Sequence, residues 1–354
     1  MTLAASGTIS LADLRTEYVG GSSSISLGDL YRGGTNIKAK SGDNQATNLA
    51  ASVPASGTIN LANFYGTAKG FKYTYSSSAS NQNFSTVFGD DYDLNYPKIV
   101  DINSGVSVYG TNTDAITIPS GLAGGLTLNN AGTIYGFGGA SGGGAGGNCI
   151  NNAASGVVIN NTANIFAGGG GGANGAQGGA GSVTSTSYSG TRGQHDWTCY
   201  SAGCFVHYAG GYRCHCSGYC MMPTSQTSCS YAGTTLRKGN HFTTSFGWNH
   251  YQLGVDTVHS TSGGAGGAGG QGQGYNQSAG TGLGGAAGGT NAGTGSAGTN
   301  GASYGQAAAN STSGANGNVG NGATGNSGGA AGAAVAGTSV TMNNNGGTIH
   351  GAVA

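Results

Sequence analysis

The sequence predicts a mostly β and irregular chain: a small N-terminal repeat module, a short β-strand segment, and a glycine-rich bundle carrying a cysteine- and aromatic-rich inserted loop. Three observations lead there. One short motif recurs three times in the first 70 residues, glycine returns at every third position over long tracts, and one insertion between those tracts holds six of the seven cysteines. With 76 glycines in 354 residues and only 36% hydrophobic residues, a conventional core cannot run through the whole chain.

The N-terminal module, residues 1–70, contains SGTISLADLRTEY (6–18), SSISLGDLYRGG (23–34) and SGTINLANFYGTA (56–68). Each copy reads as an extended Ile-x-Leu pair with Ser or Asn at a helix N-cap and Asp or Asn three places later, a capping box built with the shorter side chain. Ser10 with Asp13, Ser26 with Asp29 and Asn60 with Asn63 therefore start helices of one or two turns. Units this short do not fold alone. They dock on one another, on a partner as an attachment module, or as a small capping domain.

Residues 71–123 alternate β-formers with polar residues between Gly, Asn and Pro turns, the signature of several short strands. GDDYDLN within this segment matches the opening of a calcium loop at Asp91, Asp93 and Asn95. The match then fails, because Tyr96 stands where glycine is expected and Ile102 where a bidentate Glu would fall, so an ordinary acidic turn is the competing reading.

Residues 124–182 and 263–354 form the glycine-rich region, punctuated by β rungs. Leu126 to Gly136, Val158 to Gly168 and Val340 to Gly351 share one plan: a β pair, an Asn-rich turn, then Ile and a closing glycine. Gly169, Gly172, Gly175 and Gly178 make one row, Gly266, Gly269 and Gly272 another, and shorter rows follow with shifted phase. Collagen would keep one phase and carry proline, but the chain has 4 prolines and none beyond Pro223. The expectation is a bundle of polyglycine-II-type helices, three residues per turn at about 3.1 Å rise. Such a helix has no internal hydrogen bonds, so its backbone must pair with neighbours, and glycine at every third position permits the approach. A flexible linker is the alternative.

The insertion at 183–262 holds twelve of the 29 aromatics and six of the seven histidines. Cys199, Cys204, Cys214, Cys216, Cys220 and Cys229 read as a disulfide-stapled loop, as ligands of a zinc ion, or as free thiols. Cys149 is left over as a small packed residue. Trp197, Tyr200, Tyr208, Tyr212, Tyr219, Trp248 and Tyr251 are contact candidates, because Tyr and Trp supply rigid area with a polar handle and stack on sugar rings; some of them would instead build the loop's own core.

Charge excludes one partner class. Eleven basic residues balance eleven acidic ones and charged residues are 6% of the chain, so the clustered cationic footprint that nucleic acid requires is missing. There is no run of 18 apolar residues for a membrane span and no basic-then-apolar secretory signal at the N-terminus. Catalytic motifs are missing from the insertion as well: residues 183–262 hold no Gly-x-Ser-x-Gly and no His-Glu-x-x-His, and Glu17 is the sole Glu of the chain. A non-enzymatic protein without a required cofactor is expected.

These segments resemble tailed-bacteriophage tail-fibre and tail-tip receptor-binding proteins. SGTISLADLRTEY and SSISLGDLYRGG are similar to short repeats that open such proteins, and DINSGVSVYG with AITIPSGLAGGLTLNNAGTIYGFGGASGGGAGG is similar to receptor-binding ends whose strands feed glycine tracts. The C-terminal two thirds resemble distal adhesins of long tail fibres with packed polyglycine-II helices, although the cysteine-rich insertion is longer than the usual loop there. The resemblance implies attachment to other phage tail proteins, or to copies of itself with a trimer as one option, and binding of a bacterial surface receptor, either a glycan or an outer-membrane protein. It further implies a place in the virion tail, assembly in the host cytoplasm and release by lysis, so that disulfides would form only after lysis. A structural glycine-rich extracellular fibril subunit is the alternative function, followed by an ice-binding protein.

Overall fold

In the computed structural model, residues 3–40, 45–188, 228–231, 234–245 and 248–354 are described. The three N-terminal motifs form the expected short helices. Helix α1 (Leu11–Leu14) continues as a wider turn over Arg15–Val19, and 3-10 turns occupy Leu27–Leu30 and Leu61–Phe64. All three reciprocal capping boxes are made, by Ser10 with Asp13, Ser26 with Asp29 and Asn60 with Asn63. Leu14, Leu30 and Phe64 end the equivalent turns and meet in one core with Ile9, Tyr18, Ile37, Ala50 and Val53.

The units are also tied around their rim. The Tyr31 hydroxyl donates to the Gly57 carbonyl, joining the second unit to the third, and the Tyr65 hydroxyl donates to the Gly7 carbonyl, joining the third to the first. Arg15 holds the equivalent sequence position in the first unit. The motifs thus dock on one another as a ring of three. That ring sits on the first coil of the next region through β1 (Thr47–Asn48), which pairs antiparallel with β2 (Phe71–Tyr75), and through Tyr96, which donates to the Asn36 carbonyl and accepts from the Lys38 amide.

From β2 onward the chain winds as a parallel β-solenoid with three sheets, one strand per sheet in each coil. The first coil is β2, β3 (Ala79–Ser80) and β4 (Gln82–Asn83), interrupted after β4 by α2 (Phe84–Phe88). The second is β5 (Lys98–Ile102), β6 (Ser107–Tyr109) and β7 (Ile116–Ile118); the third is β8 (Leu126–Asn130), β9 (Thr133–Tyr135) and β10 (Ile150–Asn152). The fourth begins with β11 (Val157–Asn161) and β12 (Asn164–Phe166). It then leaves for an excursion containing β13 (Gly181–Tyr188), β14 (Ser228–Tyr231), β15 (Thr234–Ser245) and β16 (Trp248–Thr261). It returns as β17 (Val335–Gly337), and β18 (Thr341–Asn344), β19 (Thr348–His350) and a bridge from Val353 to Val335 make the fifth.

Alternation within each strand builds the solenoid core. Val100, Leu128 and Ile159 stack inward in the first sheet, Val108, Ile134 and Ile165 in the second, and Ile116, Ile150 and Val335 in the third. The Asn-rich turns become ladders: Asn130 donates to Asn161 at 2.7 Å and Asn161 to Asn344 at 2.8 Å, pairing amides that would be costly to bury alone. Strands of 71–123 and rungs beyond 124 form one continuous solenoid, because β5 and β8 pair in register, Lys98 with Leu126 through Ile102 with Asn130.

In the second, third and fourth coils an excursion leaves between the second and third sheets, over 110–115, 136–149 and 167–334. The longest one forms a closed triangle of glycine-rich rows. Amides of Gly169, Gly172, Gly175 and Gly178 donate to carbonyls of Gln273, Gly270, Gly267 and Gly264. Amides of Gly264, Gly267, Gly270 and Gln273 donate to Gly293, Ser296, Thr299 and Ala302, whose own amides donate back to Gly179, Ala176, Ala173 and Gly170. The step is three residues throughout. The approach is as close as the glycine rows imply: a β-carbon at Gly172 would lie 1.9 Å from the Thr299 carbonyl oxygen, and one at Gly301 1.7 Å from that of Gln271.

Candidate functional site

The inserted segment leaves and rejoins the triangle at the end remote from the solenoid, since rows 169–178 and 264–273 meet the solenoid near Gly169 and Gln273 and end at Gly178 and Gly264. Its described residues form a four-stranded antiparallel sheet in the order β13-β16-β15-β14, with Gly181 opposite Thr261 at its root. At the root the chain is an extended ribbon, because Ser, Thr and Val alternate along both root strands and favour pleated pairing.

Neighbouring turns grip that root. The Ser182 amide donates to Asn318 Oδ1 at 2.8 Å, and Nδ2 of Asn318 and of Asn291 donate back to the Ser182 carbonyl at 3.2 and 3.0 Å. Thr261 Oγ1 donates to the Thr290 carbonyl at 2.7 Å. Asn291 has φ 60, a left-handed setting that Asn tolerates better than most residues. Farther out, Ser185 Oγ lies 2.8 Å from His259 Nε2, and Thr186 donates to Asp256 at 2.6 Å. Val258 and Val319 are exposed apolar residues of this end, 65% and 61% accessible. The root therefore offers hydroxyls, amides and small apolar groups with little charge, a surface suited to hydrogen bonding and contact.

Of the candidates from the sequence, Trp248 opens β16 opposite Ser245, Tyr251 pairs with His241, and Cys229 lies in β14 opposite Leu236. Trp197, Tyr200, Tyr208, Tyr212 and Tyr219 lie outside the described residues, as do Cys199, Cys204, Cys214, Cys216 and Cys220. The acidic turn surrounds a buried cation of the chain's own. Asp91 is buried while Asp93 and Asn95 are exposed. The cation of the turn is Lys98, which is 1% exposed and whose Nζ donates to the carbonyls of Leu94 at 2.5 Å, Tyr96 at 3.0 Å and Ala123 at 2.6 Å. Burial pulls its pKa down to about 8, against the opposing pull of Asp91 and Asp93. Among the described residues no group of three His, Cys, Asp or Glu side chains is gathered to hold a metal ion. No helix among them is long and apolar enough to cross a membrane.

Sequence reading missed two features. Lys98 appeared as an ordinary strand residue, and the aromatic column of Tyr109, Tyr135 and Phe166 became visible only once strand register was known. The equal spacing of Tyr-Gly and Phe-Ala after Ile134 and Ile165 was the available signal.

Residues 70–241 match the family model described as phage tail fibre adhesin Gp38. No curated protein matches the chain. Among solved structures, the crystal structure of the gp37-gp38 adhesin tip complex of the bacteriophage S16 long tail fiber is similar at 19% identity and a TM-score of 0.38, covering 84% of this chain and 87% of that one.

Proposed function

We propose, for a chain whose residues 70–241 match the phage tail fibre adhesin family, a division of labour in which one end attaches to the tail fibre and the other reads the host. The glycine rows are polyglycine-II-type helices, a reading supported by their three-residue hydrogen-bond step and by the lack of room for a β-carbon. They serve as a rigid, chemically quiet holder. The insertion, with Trp197, Tyr200, Tyr208, Tyr212, Tyr219, Trp248 and Tyr251 as contact residues, binds a glycan or an outer-membrane protein on the bacterial surface. The position of the insert's root at the remote end of the bundle is the observation that carries this reading.

Attachment falls to the N-terminal ring. Its three units each bring an equivalent leucine, Leu11, Leu27 and Leu61, of which Leu11 is 41% exposed. A ring of three like units suits the end of a three-fold symmetric fibre protein. Activity is binding alone, with no cofactor, and assembly takes place in the host cytoplasm before lysis.

Replacing residues 190–255 by a short Gly-Ser turn tests the receptor role. The shortened protein is expected to fold and to lose adsorption to host cells; normal adsorption would refute the assignment. Leu11→Asp with Leu27→Asp is expected to abolish incorporation into virions while leaving cell binding by the free protein intact. Filaments formed by the purified protein alone would favour a fibril subunit instead.

A further inference from the structure

The outer face of the second sheet carries a column of rings. Tyr109, Tyr135, Phe166 and His350 hold the same register position in β6, β9, β12 and β19, each next to an inward Val or Ile. Glycine-rich segments that begin or end on a solenoid strand are held there by the chain itself. Two turns of the bundle at this face, 274–277 and 303–306, have no such connection, and each carries one tyrosine.

Those tyrosines fit between successive rungs of the column. Tyr275 stacks on Tyr109 with centroids 3.8 Å apart at 15° and meets Tyr135 at 5.3 Å. Tyr304 meets Tyr135 at 5.8 Å and stacks on Phe166 at 5.1 Å and 20°. The Tyr304 hydroxyl donates to the Gly274 carbonyl at 3.0 Å, linking the two turns, and the Gly305 amide donates to the Ala167 carbonyl at 2.8 Å.

We propose that Tyr275 and Tyr304 are positioning residues: two pins that lock the free turns of the glycine bundle onto the solenoid and so fix the direction in which the bundle presents its insert. Two of the three rows in the triangle, 264–273 and 293–302, reach the solenoid through these turns. Rows whose hydrogen bonds all run sideways resist shear only as far as their ends are held. Offset and tilted ring pairs supply both attraction and a preferred geometry, which aliphatic contacts do not. The consequence for adhesion rests on the receptor role proposed above; the pinning itself does not.

Amide hydrogen exchange on the full-length protein separates the two. In Tyr275→Ala/Tyr304→Ala, exchange across 264–302 is expected to accelerate about tenfold or more while strands β5 to β12 stay within about twofold of the parent. Tyr275→Phe keeps the stacked ring and is expected to exchange like the parent. If the double variant does not fold, Tyr275→Leu, which keeps apolar area without a ring, carries the same comparison. Unchanged exchange in the bundle, or equal acceleration in the solenoid, would overturn the pinning. Adsorption to host cells is the second readout: it is expected to fall in the Ala variant and to be retained in the Phe variant. Full adsorption by a variant with accelerated bundle exchange would overturn the positioning role, whereas loss of the receptor reading would appear separately, as normal adsorption after deletion of 190–255.

Discussion

Gly172→Ala probes the glycine triangle where it is tightest. The added β-carbon would lie 1.9 Å from the Thr299 carbonyl oxygen, so the row of 293–302 must retreat by about 1.5 Å to reach ordinary contact at 3.4 Å. The two bonds beside that contact, from the Thr299 amide to the Ala173 carbonyl at 2.9 Å and from the Ala173 amide to Thr299 Oγ1 at 2.8 Å, do not survive such a shift. Overpacking costs about 1–3 kcal/mol and each lost bond about 1 kcal/mol, while alanine's smaller loss of chain entropy returns about 0.4–1 kcal/mol. The net expectation is a destabilisation of about 2–4 kcal/mol. Gly284→Ala is the matched control, because nothing lies within 4 Å of its added carbon, and it is expected to be neutral or to stabilise by about 0.4–1 kcal/mol. Urea denaturation of both variants beside the parent provides the assay, with amide exchange to localise the effect. Equal stability of Gly172→Ala and the parent, or equal loss in both variants, would refute the close-packing argument.

Other consequences concern single groups. Because folding pulls the Lys98 pKa down from 10.5 to about 8, the folded chain binds fewer protons than the unfolded one in that interval, and this group makes stability rise with pH from about 8 to 10.5. Lys98→Met should flatten that portion of a denaturation-versus-pH profile, and each buried carbonyl it strands should cost about 1–3 kcal/mol. Asp13 is held below 3.8 by the Ser10 hydroxyl and amide, and Asp29 by the Ser26 amide and hydroxyl, so these caps add stability above pH 3.8 that fades as pH falls through the lowered values. The uncharged Asn60–Asn63 box should not follow pH there, and Asn60→Ala should cost about 1 kcal/mol in thermal denaturation. Cys149 is fully buried, its thiol pKa pushed far up by burial, so peptide mapping after maleimide treatment should find it unmodified in the native protein and modified after unfolding.

What could be read from the sequence was whatever depends on neighbours a few residues apart. Ser10 reaches Asp13 across one turn whatever the rest of the chain does, and the three-residue return of Gly169, Gly172, Gly175 and Gly178 states that one side of that row must be bare. The candidate site was legible as an aromatic and cysteine-rich composition in 183–262, but its ribbon form and its place at the bundle's remote end were not. Tertiary structure decided those matters because they rest on pairings between distant residues. Gly172 meets Thr299, Asn161 meets Asn344, and Tyr109 meets Tyr275. The single solenoid has the same origin: each short strand is too small to signal its sheet, and only stacking of coil on coil buries Val100, Leu128 and Ile159 as one column. Lys98 is the clearest case, an ordinary lysine in its own strand that became a buried cation because Leu94, Tyr96 and Ala123 turned their carbonyls onto it.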